Sequence, residues 1–218
     1  MFNHTHLPGN KARDVSSGLP TPLTTSRGVY TWMISPPESI PTALYEQVLS
    51  RYRAEWPLGF VGENEGRTWV AKPLDSPLHI GLLSEDGSVA SHAAFVNRGI
   101  TIGSSPYRAC GIMGVFTQPG HAWLAPEIVR YVSEVLVPSS GCDIAMGFCS
   151  SEELIKWYGK FGLSPMLGAR VRVDPRNNEP TIIDDEVLLA HPLTPAGSEG
   201  LERVRAGEEL YFGPRPTW

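Results

Sequence analysis

Apolar and polar positions divide the chain into short β-like runs and longer stretches with helical spacing. Val29–Ile34 is β-branched and aromatic, which predicts a first strand. From Ser39 to Trp56 the apolar positions Ile40, Leu44, Val48, Leu49 and Tyr52 recur every three or four residues behind Pro41, so a helix is expected, ended by Pro57. Residues 58–77 carry Gly59, Gly62 and Gly66 without a period and read as a loop. His79–Leu83 and Val89–Val96 flank Glu85-Asp86-Gly87, which supplies the turn chemistry of a hairpin. A further strand is expected around Gly99–Gly103.

The chain is organised around Gly111–Thr117 and the segment after it. That run is apolar, β-branched and uninterrupted except at Gly114, which suits a strand buried on both faces. Gln118-Pro119-Gly120-His121 is a turn signal. Leu124, Ile128, Val132, Val135 and Leu136 then predict an amphipathic helix over 124–137, with Pro126 in its first turn. Strand, tight turn and helix together aim free backbone N–H groups at an anionic or carbonyl ligand. Asp143–Phe148 reads as a buried strand, and Ser150 or Ser151 as the N-cap of a helix running to about Phe161 and closed by Gly162. Leu167–Val173 and Val187–Leu193 complete the sheet. The order predicts an α/β (α+β) fold with one mixed, mostly antiparallel sheet and helices on both faces. Residues 1–27, rich in Pro, Gly, Ser, Thr and Asn, are expected to form a flexible arm, and 28–218 a single domain.

At 218 residues the chain can bury an ordinary core without a second domain. A hydrophobic content of 41%, a charged content of 19% and no apolar run near the ~18 residues of a span point to a globular protein without a membrane segment. A net charge of −5 and a pI of about 5.7 argue against a nucleic-acid partner, because phosphate backbones need a basic field. Cys110, Cys142 and Cys149 are odd in number and lack CxxC spacing, which excludes a disulfide framework and a zinc site. His4 and His6 stand in the arm and are assigned no metal. A cytoplasmic protein is expected, since Met1–Thr25 has no basic start or apolar core of a signal peptide.

Four local patterns occur in order: Val89-Ala90-Ser91-His92-Ala93-Ala94; Gly111 to Gln118; Ser150-Ser151 through Trp157-Tyr158-Gly159-Lys160-Phe161-Gly162; and Arg205-Ala206-Gly207-Glu208 with a terminal Trp218. Over roughly three quarters of the chain they resemble the GNAT superfamily of N-acetyltransferases, nearest to the aminoglycoside 2′-N-acetyltransferases and the rhizobial nodulation N-acyltransferases. The resemblance implies that the backbone of Val115, Phe116 and Thr117, with Gln118, binds the pantetheine arm and acyl carbonyl of an acyl-CoA or of an acyl carrier protein's phosphopantetheine. It implies a small-molecule amine acceptor of aminosugar kind, and it leaves a homodimer open.

The family's diphosphate loop carries Gln/Arg-x-x-Gly-x-Gly/Ala. Here Gln118 matches, but Trp123 and Ala125 replace small residues, so Trp123 is expected to crowd a diphosphate and weaken coenzyme A binding. Tyr158 stands where related transferases place the acid that protonates the leaving thiolate, and an ordinary phenol pKa near 10 suits that task; packing beside Trp157 and Phe161 is the alternative. Related enzymes have a glutamate near Met113, which cannot act as a base. The amine proton is therefore left to water, to His92 or to Asp184 and Asp185, although His92 in an apolar run also reads as a core residue. Asp184, Asp185 and the Trp218 carboxylate match acceptor-binding positions of the aminoglycoside enzymes, and Trp56, Trp69 and Trp123 are candidates for a cleft lining. Beside N-acyl transfer two readings stay open: a member of this fold that has lost coenzyme A and catalyses a decarboxylation or cyclisation, and a non-catalytic binding protein.

Overall fold

The computed structural model describes residues 20–71, 77–174, 182–183 and 186–213. Strands β1 (Leu23–Thr25) and β2 (Gly28–Ser35) form a hairpin, so part of the segment expected to be an arm is ordered. Helix α1 spans Thr42–Glu55 and buries Val48, Leu49 and Tyr52, the positions its period predicts. Strands β3 (Leu78–Leu83), β4 (Val89–Ile102) and β5 (Ser105–Thr117) follow as an antiparallel meander. The expected separate strand near Gly99 is continuous with β4, whose pairing with β5 runs without a break from Ala94 to Ile102.

After β5 the chain enters α2 (Ala125–Tyr131), which continues through a π-helical turn at Val132–Leu136 into a short α3 (Val137–Ser139). Leu124, Ile128, Val132 and Leu136 are buried, each a gain of about 1.5–3 kcal/mol, whereas Val135 is 46% exposed and lies off the apolar stripe. Strand β6 (Ile144–Cys149) leads to α4 (Glu152–Gly159), whose N-cap Ser151 accepts a hydrogen bond from the Leu154 N–H at 3.4 Å. Short strands β7 (Ser164–Pro165), β8 (Val171–Arg172) and β9 (Ile182–Ile183) precede β10 (Val187–Pro192), α5 (Pro195–Arg205) and β11 (Leu210–Tyr211).

The sheet runs β1-β2-β3-β4-β5-β6-β10-β7, antiparallel throughout this path except for the parallel β5·β6 pair. One face packs on α2 through Tyr30, Ile80, Leu82, Ala93 and Phe95. The other carries two clusters. Val48, Leu49 and Tyr52 of α1 meet Val89 and Phe116, and Leu201 and Val204 of α5 meet Ile100, Ile102, Ala109, Ile144 and Met146. Helices thus cover both faces, as expected.

Helix α5 has no counterpart in the periodicity analysis, because Gly197 and Gly200 interrupt its apolar pattern. Both glycines permit close packing: a Cβ on Gly197 would stand 1.9 Å from the Asp143 carbonyl oxygen, and one on Gly200 2.9 Å from the Tyr107 ring. The available signal was Thr194-Pro195, an N-cap followed by proline at the first helical position; Thr194 Oγ1 accepts from the Gly197 N–H at 3.0 Å.

A candidate active site where the central sheet opens

The geometry that matters lies at the middle of the sheet. Strands β5 and β6 are in register only at Ala109↔Ile144 and Cys110↔Ala145. Beyond Cys110 no pairing between them is seen among the described residues, so Gly111–Thr117 is paired with β4 on one side and leaves its other edge open. Gly111 marks the vertex, where a Cβ would stand 2.4 Å from the Met146 carbonyl oxygen.

Within the opened stretch β5 carries a bulge. His92 is opposite Phe116 and Ala94 is opposite Met113, so Gly114 and Val115 together face one residue of β4. Met113 and Phe116, three apart, consequently lie on the same face, toward α1. Gly114 has φ +55°, and a Cβ there would lie 1.5 Å from the Tyr52 hydroxyl oxygen. Tyr52, 2% exposed, donates to the Gly114 carbonyl at 2.9 Å and lies 3.4 Å from that of Met113. Its ring is held by Trp56 at 4.8 Å, Phe116 at 5.8 Å and His92 at 5.9 Å. Burial drives its pKa far above 10, so the phenol remains a donor.

Tyr158 sits on α4 across the opening, half-buried with its ring 4.8 Å from that of Trp157. It packs as an aromatic against Trp157, and Cys149 at the end of β6 is near enough to act on it electrostatically. Burial first, and then Cys149, push its pKa up to about 12. It is also close enough to Tyr52 to raise that residue's pKa. The phenol is thus a weaker acid than its ordinary value implies.

His92 does not reach the cleft. It is fully buried, stacked on Phe116 at 5.4 Å, and its Nε2 lies 2.9 Å from Nδ1 of His79, which is also fully buried. Desolvation pushes the His79 pKa down to about 4 and that of His92 well below its usual range, with the His79 charge adding to the shift at His92. The remaining nitrogens, His79 Nε2 and His92 Nδ1, have no hydrogen-bond partner among the described residues. This is a neutral core pair joined diagonally across β3 and β4, and it offers no route for a substrate proton.

The three tryptophans do not converge. Trp56 packs on Tyr52 beside α1. Trp69 lies 4.1 Å from the guanidinium of Arg67, which is 5% exposed, also stacks on Phe60 at 4.7 Å, and donates to the Gly59, Trp69 and Val70 carbonyls. Arg67 thereby pins the loop after α1. Trp123 lies on the opposite face, edge-on to Tyr30 at 5.4 Å, with Arg27 5.6 Å over its ring and its indole nitrogen buried.

That position sets the indole on Tyr30, where the expectation had been that Trp123 crowds a diphosphate at the turn between β5 and α2. Its ring is packed among the residues under α2, while Gly120, at φ +84°, would meet nothing within 4 Å of a Cβ. The turn is tight, with the His121 N–H bonded to the Gln118 carbonyl at 3.0 Å. Gln118 donates its own N–H to Ala90 and borders an open groove along α1 with Glu46, Gln47 and Arg51. Asp184, Asp185 and Trp218 lie outside the described residues.

Periodicity put Tyr52 on the buried stripe of α1 and marked Gly114 as a break in the central run, but it gave neither of them, nor His79 or Arg67, a place in the site. A glycine within a strand was the available sign of a bulge. Among the described residues, no group of three or more His, Cys, Asp and Glu could hold a metal ion, and no helix is long and apolar enough to cross a membrane.

No protein-family model matches the sequence, and no curated protein matches it. Among solved structures, the chain is similar to the GNAT family N-acetyltransferase YhbS from Escherichia coli, solved in complex with CoA. The identity is 12%, the alignment covers 84% of this chain and 89% of that one, and the TM-score is 0.51. It is also similar to Escherichia coli ElaA, at 11% identity over 74% of this chain and 98% of that one, with a TM-score of 0.50. Such identities establish a shared architecture, and the chain has the GNAT fold.

Proposed function

We propose that the protein is an N-acyltransferase that moves an acyl group from a coenzyme A thioester to an amino group of a small polar acceptor. The observation that carries this reading is the parting of β5 from β6 after Cys110, next to a bulge at Gly114. A central strand bordered on one side by a cleft offers backbone N–H groups to a carbonyl that becomes an oxyanion. Support comes from the neighbour whose structure holds CoA.

The chain's residues suit such a donor. Gly120 leaves its backbone open to a phosphate, and Trp123 is packed aside. Val115, Phe116 and Thr117 would hold the pantetheine arm and the acyl carbonyl through their main chain, with Gln118 at the end of the strand. During transfer a C–N bond forms and the C–S bond breaks; the amine loses a proton and the departing thiolate gains one. Tyr158, protonated at neutral pH, donates a hydrogen bond to that sulfur. Full proton transfer from a phenol near 12 to a thiolate whose acid has a pKa near 8.5 is uphill, so the sulfur is neutralised by the proton that the attacking amine gives up, relayed through solvent. Met113 holds no base and His92 is sealed in the core, so the amine proton passes to water or to the carboxylates of Asp184 and Asp185.

An aminosugar-like acceptor, bound by Asp184, Asp185 and Trp218, is the narrower form of the proposal, and a carrier-protein thioester is the second donor to test. The full chain would be incubated with acetyl-CoA, longer acyl-CoAs or an acylated carrier protein and a panel of aminosugars and polyamines. Thiol release would be followed together with the mass of the acceptor. Acceptor-dependent thiol release with a mass gain of one acyl group is expected. Absence of acylated acceptor with every donor overturns the proposal.

A further inference from the structure

We infer that Tyr52 is a positioning residue for acyl transfer: its buried hydroxyl holds the Gly114 carbonyl and thereby aims the Val115 N–H that receives the acyl oxygen. This rests on the acyltransferase reading above and extends it to a residue on a different element, 62 positions away in sequence.

The peptide group is planar and trans, so a carbonyl and the N–H that follows it point in opposite directions. At an ordinary strand position both would be fixed by neighbouring strands. At the bulge that regular ladder is interrupted, because Gly114 and Val115 together face a single residue of β4 and the pairing with β6 ends at Cys110. The only described hydroxyl bonded to the Gly114 carbonyl is that of Tyr52, at 2.9 Å, on the α1 side of the sheet. The Val115 N–H of the same peptide unit is therefore directed away from α1.

Three further features fit a positioning role. The hydroxyl is permanently a donor, since burial prevents its ionisation. Its ring cannot swing aside, being enclosed by Trp56, His92 and Phe116. The residue it grips must be glycine, because φ is +55° and a Cβ would overlap the hydroxyl. Burial of an aromatic against the sheet would require none of these. An oxyanion donor is worth most when its direction is fixed before the charge develops, and loss of one such donor typically lowers turnover by ~10²–10³. Releasing the carbonyl disorders the donor without deleting it, so a smaller effect is expected.

The test is Tyr52→Phe in the full chain, which removes one oxygen and keeps the ring, read by two measurements. In the absence of any substrate, the amide resonance of Val115 should shift and its exchange with solvent should quicken, with the amides of α1 unchanged. With acetyl-CoA and an accepted amine, kcat should fall by about 10- to 100-fold while KM for the donor stays within about twofold, the pattern of an interaction made in the transition state. Gly114→Ala, which displaces the hydroxyl from the other side, should give the same split between kcat and KM. An unchanged Val115 resonance, or a Tyr52→Phe enzyme with native kcat, overturns the inference. If the wild-type protein acylates no amine, the acyltransferase reading fails by itself, and the resonance of Val115 still decides whether Tyr52 orients that peptide.

Discussion

Lowering the pH should unfold this protein through its buried histidines before its carboxylates titrate. His79 and His92 are both fully buried, share a contact of 2.9 Å, and face Tyr45, Tyr52 and Phe116, with no carboxylate against either ring among the described residues. Their pKa values are depressed, to about 4 for His79 and further for His92. The native state therefore keeps both neutral while the unfolded chain protonates them below about 6.5, so stability falls with pH. Each contributes about 1.4 kcal/mol per pH unit in that range, which amounts to about 2 kcal/mol per histidine at about pH 5 and ~4 for the pair. Against a typical total of about 5–15 kcal/mol this is a large fraction. The carboxylates behave differently. Asp86, lowered to about 2 by its hydrogen bonds to Ser84 and Ser88, and Glu153 and Glu208, also lowered, add stability that is lost only as pH falls through and below their unfolded values near 4. Urea unfolding at about pH 7 and about pH 5 separates the two sets, and for m of about 1–3 kcal/mol/M the midpoint should fall by more than ~1 M. In His79→Gln/His92→Gln the midpoint at neutral pH should be lower but the fall should largely vanish. A midpoint that is the same at both pH values, or an undiminished fall in the double variant, refutes the assignment.

Tyr158→Phe should lower kcat by about 10- to 100-fold with acceptor affinity unchanged, the scale of one hydrogen bond to a charged atom; loss of thermal stability with native kcat would make the residue purely structural. Calorimetry should show coenzyme A binding, with Trp123→Ala costing melting temperature through lost packing on Tyr30; tighter coenzyme A binding by Trp123→Ala would show that the indole does obstruct the turn. Asp184→Asn should weaken binding of an accepted aminosugar by about one to two decades, since a charge-assisted hydrogen bond is worth ~1.5–3 kcal/mol; native affinity in that variant removes Asp184 from the site.

Much of the architecture was legible because burial imposes simple periods. The stripe Leu124, Ile128, Val132 and Leu136 marks α2 and its extension, and Tyr52 falls on the buried side of α1 beside Val48 and Leu49. The central strand reads as buried because it is covered on both faces. What periodicity could not convey were contacts between distant segments. That Tyr52 reaches Gly114, that His79 meets His92 across two strands, and that Trp123 leaves the β5–α2 turn to pack on Tyr30 depend on register and side-chain direction. The place of Trp123 in the loop gives no sign of that packing on Tyr30. Helix α5 was hidden for another reason: its glycines serve close approach to Asp143 and Tyr107 and dilute the hydrophobic signal.

The narrow join between β5 and β6 also has a mechanical side. Two residue pairs connect the half of the sheet carrying β1–β5 to the half carrying β6, β10 and β7. Below the join, α5 bridges the halves, since Leu201 and Val204 pack on Ile102 and Ala109 from one and on Ile144 and Ala190 from the other. Above it no strand pairing crosses among the described residues. The sheet is thus a pair of leaves clasped along one edge, and the aperture between them is governed from the clasp. A bulky residue at Gly197, seated on Asp143 just before β6, would act as a shim there and alter the angle of the leaves without touching any residue that lines the cleft.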